Sequence, residues 1–188
     1  SCCGVVCDCS PLASRHQIRG TISTTMSKQQ TLVKQVFQLA WACTCQAYQA
    51  SAIVNEATLQ AHLFAELRTQ LHATALRAQD GSAFEVVCEP VIQIAAQYKP
   101  DLVVLSRTQV HAIVELKFVP TAGVKYEPDI DKLAQFAQHN SPFPVLLDPT
   151  TGRYATQQHS ISPECLFVFA AVGCHDAVGI DAAKVAHY

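Results

Sequence analysis

Two short stretches carry residue types suited to phosphodiester chemistry: Lys99-Pro100-Asp101-Leu102-Val103-Val104 and His111-Ala112-Ile113-Val114-Glu115-Leu116-Lys117. Side chains alternate along a strand, so Glu115 and Lys117 point to one side. The apolar stripe Val110, Ala112, Val114, Leu116 and Phe118 takes the other. Carboxylates paired across neighbouring strands are close enough to share one hard cation such as Mg2+ or Mn2+. Phosphodiester hydrolysis needs an activated water and a neutralised pentavalent transition state. A cation held by Asp101 and Glu115 polarises the phosphoryl oxygen and acidifies water. A lysine two residues along the strand orients that water or stabilises the developing charge. Its ammonium also offsets the crowding of the two acids.

This arrangement makes a demand on the hairpin. A three-residue loop of Arg107, Thr108 and Gln109 sets Asp101 directly across from Glu115. An even loop puts Asp101 one residue out of phase, so the site requires an odd loop or a bulge. Around the hairpin, apolar spacing predicts a helix from Ser27 through Leu32, Val33, Val36, Phe37, Ala40 and Trp41. A second helix is expected over residues 51–76, with Ile53, Leu63, Leu67 and Leu71 on one face, ended by Asp80-Gly81. Strands are predicted over 84–91, 101–105 and 110–118. Pro128 and Asp129 open a helix reaching about His139, with Ile130, Leu133, Ala134 and Ala137 inward. Residues 141–149 read as a loop or short strand, and 165–172 as a final buried strand. The core order α-β-β-β-α-β predicts an α/β fold: a short central mixed sheet with helices on both faces.

With Pro100-Asp101 and Glu115-Leu116-Lys117 on adjacent strands after a long helix, the chain resembles the PD-(D/E)xK nuclease superfamily over about residues 51–172. The resemblance implies a restriction-endonuclease-like three-layer αβα core. It also implies a metal-dependent nuclease acting on nucleic acid, DNA more than RNA. Members often carry a glutamate on the first core helix, and Glu56 and Glu66 are the candidates. Glu56 shares the stripe of Ile53, Gln60, Leu63 and Leu67, whereas Glu66 is turned about 80° off it. A glutamate on a buried face needs its charge compensated, and a metal does so. The implied catalytic set is therefore Glu56, Asp101, Glu115 and Lys117, with the three acids binding Mg2+ or Mn2+. Gln60, one turn after Glu56, points to the same cleft. On the helix after the signature, Lys132 and Gln135 occupy positions where related families face the site or the nucleic-acid backbone.

Composition tempers the step from site to activity. The chain has 188 residues, 49% hydrophobic and 15% charged, which suits one well-buried domain. No apolar run approaches the roughly 18 residues needed to span a bilayer, so no membrane role is expected. A net charge of -2 and the lack of any Lys/Arg cluster argue against unaided, high-affinity DNA binding. The alternative is a nuclease fold serving as a non-catalytic or partner-dependent module in binding or assembly, as a homodimer or with a partner protein.

Nine cysteines, an odd number without regular spacing, do not read as a disulfide framework and suit a reducing cytoplasm. Four of them crowd the first nine residues, where Cys2, Cys3, Cys7 and Cys9 match structural zinc spacing poorly. Met-Ser-Lys-Gln-Gln from Met26 has the look of a natural start. Residues 1–25 are thus expected to be a disordered Cys-rich tail and 26–188 the domain. No Gly-rich phosphate loop or Gly-x-Ser-x-Gly elbow is present. Cys174-His175-Asp176 would face opposite ways on a strand and is set aside.

Overall fold

The computed structural model describes residues 3–8, 28–94, 97–119, 127–148 and 153–173. The two predicted N-terminal helices form as α1 (Lys28–Gln49) and α2 (Glu56–Ala73). α2 starts later than expected because Asn55 caps it in an extended conformation. The Asn55 side chain accepts from Thr58 N–H, and the Thr58 hydroxyl accepts from Asn55 N–H. Glu56 is therefore the first helical residue, where a carboxylate also complements the helix dipole. Leu59, Leu63, Leu67 and Leu71 recur every four residues and form the buried stripe. Ile53 is buried too, but just before the helix.

The strand expected over 84–91 is two strands, β2 (Glu85–Cys88) and β3 (Val91–Gln93). The break falls at Glu89, in the left-handed region at φ 47°, followed by Pro90, which has no N–H for a ladder. Next come β4 (Gln97–Tyr98), β5 (Leu102–Leu105), β6 (Gln109–Val119), α3 (Glu127–Ala137), β7 (Phe143–Asp148) and β8 (Arg153–Gly173). β8 begins 12 residues before the strand expected there. Within the stretch expected to be a tail, Cys3–Asp8 form β1, antiparallel to the last part of β8. Residues 9–27 and Cys174-His175-Asp176 lie outside the described residues.

The sheet is larger than the short one expected. Eight strands join in the order β2-β5-β6-β8-β7-β3-β4, with β1 also on β8. β6 and β8 run parallel, so the connection through α3 crosses over the sheet, and the other strand pairs are antiparallel. One apolar cluster joins α1, α2 and the sheet face bearing Leu102, Val104, Ala112, Val114 and Leu116. A second joins α3 to the opposite face through Val103, Ile113, Phe167 and Phe169. The fold is α/β, with helices on both faces of a mixed sheet. Among the described residues no helix is long and apolar enough to cross a membrane.

Candidate active site

The β5–β6 hairpin turns on Arg107 and Thr108, closed by Ser106 N–H donating to Gln109 O at 2.8 Å. Of the two arrangements the site could use, an odd loop or a bulge, the hairpin takes the second, since this even loop by itself would misalign the acids. A β-bulge at His111 restores the phase: Leu105 pairs with Val110, but Val104 pairs with Ala112. Val103 then meets Ile113 and Leu102 meets Val114, so the next position along sets Asp101 against Glu115. The same bulge moves Val110 off the stripe of Ala112, Val114 and Leu116 into the cluster under α3. Inside the bulge, His111 is buried, with its Nε2 2.9 Å from Ser106 Oγ and its ring edge-on to Phe84.

β6 outruns β5, and this builds the site. Beyond Val114, alternate N–H groups of β6 have lost their strand partner on that side, and buried donors must be satisfied. Asp101 Oδ2 accepts from Leu116 N–H at 2.6 Å, and Glu56 Oε2 accepts from Phe118 N–H at 3.2 Å. The two carboxylates thus continue the ladder where β5 stops. The backbone carbonyl of Asp101 is itself pinned by Glu89 N–H at 2.9 Å and Gln60 Nε2 at 2.9 Å. Gln60, expected to point to the cleft, spends its side-chain amide on holding this loop. At the rim, exposed Lys99 pairs with Glu89.

Glu115, only 6% exposed, accepts from the Tyr98 hydroxyl at 2.7 Å. Burial pushes its carboxyl up to about 8; the Tyr98 bond opposes this and the charges of Asp101 and Asp129 add to it. Asp101 is also raised, first by burial and then by the charge of Glu56, against the stabilising Leu116 N–H. Burial and the neighbouring Glu115 likewise push the Tyr98 phenol up, so it stays a donor. Lys117 bonds Asp129 Oδ2 at 2.9 Å. Burial disfavours its charge, yet the bond to Asp129 and the charges of Asp129, Glu56 and Asp101 hold it above the usual lysine range.

The structure thus gathers Glu56 from α2, Asp101 from the residue before β5, and Glu115 and Lys117 from β6. Glu66 makes no hydrogen bond to this group among the described residues. On α3, Lys132 bonds Asp129 Oδ1 at 3.1 Å, while the exposed Gln135 side chain has no hydrogen bond to the site among the described residues. Two members escaped sequence reasoning. Tyr98 lies on a two-residue strand too short to show a period, and Asp129 reads as an ordinary acid at a helix start.

The donor chemistry fits a hard divalent cation. The three acids are oxygen ligands, and two of them have raised proton affinity that a cation would relieve. Glu56 and Asp101 each accept from an N–H of β6, Glu115 accepts from Tyr98, and the Asp101 and Glu115 side chains also hydrogen-bond each other. Among the described residues no three His, Cys, Asp or Glu groups already stand as a metal-holding set.

Compared with family models, with curated proteins and with solved structures, the chain matches none.

Proposed function

We propose that the chain is a metal-dependent nuclease of the PD-(D/E)xK type, with a restriction-endonuclease-like core, hydrolysing phosphodiester bonds of nucleic acid, DNA more than RNA. The observation that carries this reading is the bulge at His111, which pairs Leu102 with Val114 and so brings the side chain of Asp101, one residue before β5, to Glu115, with Lys117 two residues on. Glu56, Asp101 and Glu115 would hold Mg2+ or Mn2+, whose bound charge polarises a phosphoryl oxygen and lowers the pKa of water. Tyr98 fixes the orientation of Glu115. Lys117, held protonated, donates to the attacking water or to the phosphoryl oxygen as negative charge grows there. Water adds at phosphorus, the bond to the leaving oxygen breaks, and that oxygen takes up a proton.

The test is cleavage of linear and single-stranded DNA and of RNA by the purified chain with Mg2+ or Mn2+. Asp101→Asn and Lys117→Ala are each expected to lower the rate by about two orders of magnitude or more. Undiminished cleavage by both variants would overturn the assignment.

One observation favours the alternative of a partner-dependent module. Among the described residues, the lysines at the site, Lys99, Lys117 and Lys132, are each paired with a carboxylate. On a chain of net charge -2, that leaves little positive field to draw in a polyanion unaided. Ion binding without cleavage of any of these substrates would select this second reading.

A further inference from the structure

Asp129 stands in the first turn of α3, its side chain only 11% exposed, and receives two ammonium groups on its two oxygens. Lys117 reaches Oδ2 from the sheet, and Lys132, 51% exposed, reaches Oδ1 from the same helix one turn on. A lysine side chain is a flexible four-carbon stem, so the place of its ammonium must be imposed by its surroundings. Glu56 and Asp101 attract Lys117 through space, but their bonded oxygens are committed to the N–H groups of Phe118 and Leu116. The carboxylate that bonds the Lys117 ammonium is Asp129.

We propose that Asp129 is a positioning residue that fixes the Lys117 ammonium within reach of the charges of Glu56 and Asp101, with Lys132 balancing its remaining charge from the solvent side. The proposal rests on the nuclease reading for what Lys117 does, but not for where Lys117 stands. It ties the orientation of the sheet lysine to the docking of α3. Lys132 becomes the solvent-side half of a clamp instead of a free phosphate contact.

Two measurements separate the claims. In protein carrying 15N-labelled lysine, the Lys117 ammonium signal is identified by its loss in Lys117→Arg. It is expected to be protected from exchange in the native protein and to exchange about tenfold faster or more in Asp129→Asn. Asp129→Glu, which keeps the charge but moves it by one methylene, is expected to shift the signal while retaining protection. It also decides the matter if Asp129→Asn fails to fold. An unchanged Lys117 signal in these variants overturns the proposal whether or not the protein cleaves anything.

The second measurement is kinetic, with Mn2+. Asp129→Asn is expected to lower kcat about tenfold or more, with KM and Mn2+ affinity (by electron paramagnetic resonance) within about twofold. In a Lys117→Ala background it should cost nothing further. An equal loss in that background, or a parallel fall in Mn2+ affinity, refutes positioning through Lys117. Absence of any cleavage by the native chain counts against the nuclease reading alone, and the lysine signal still tests Asp129.

Discussion

Glu115 is 6% exposed, and its burial, with the charges of Asp101 and Asp129, pushes its carboxyl up to about 8 against the opposing Tyr98 bond. The folded protein therefore keeps a proton that the unfolded chain releases near pH 4.3. The sign follows from linkage: this contribution to stability is fully present below the unfolded pKa and is lost as pH rises through the folded one. His111 acts in the opposite sense. Burial pulls it down to about 4, so its contribution is present above about pH 6.5 and is lost as pH falls. Between about pH 6.5 and 8 the Glu115 effect stands alone of these two. With metal chelated, the unfolding free energy in urea is expected to fall by about 2 kcal/mol across that window, at about 1.4 kcal/mol per pH unit. Glu115→Gln should flatten the slope; an unaltered slope in that variant would assign the titration to another group.

At the scale of elements, α2 delivers Glu56 because Asn55 stops the helix one residue earlier. Asn55→Ala is expected to cost about 1 kcal/mol in urea unfolding, and Asn55→Asp to retain most of it, since both native and Asp side chains accept from Thr58 N–H. Equal losses in the two would mean that the cap does not set the start of α2. Much of this level was legible in the sequence. The leucine stripe marked α2, and alternation marked the hairpin strands and fixed which side Glu115 and Lys117 take. The loop length was not legible. His111 is accommodated as an extra residue by Ser106 and the ring of Phe84, contacts that pattern and propensity do not encode. Asp129 escaped for a similar reason. An acid in a first turn is routine, and what distinguishes this one is Lys117, 12 residues back on another element.

Across the whole molecule the layering was readable, but the extent of the sheet was not. The first part of β8, with Gln157, Gln158, His159 and Ser160, lacks the alternation that announces a strand. It is held in place by β7, itself drawn from a proline-bearing stretch. Only pairing between distant segments makes either one extended.

The same limit applies where β6 runs past β5, a seam whose meaning changes when many molecules are present together. An uncovered length of strand is a template on which another chain can pair and start an aggregate. Here the donors of Leu116 and Phe118 are occupied by the acids Asp101 and Glu56, and negative charge at an edge is a gatekeeper against such growth. The double variant Glu56→Ala/Asp101→Ala is expected to scatter light and lose monodispersity on warming. Glu56→Gln/Asp101→Asn, which keeps acceptors over the same donors, should remain largely dispersed. Equal solubility of the two would show that the seam needs no guard. If the difference is found, the acids proposed to hold an ion also keep one copy of the chain from adding a strand to the next.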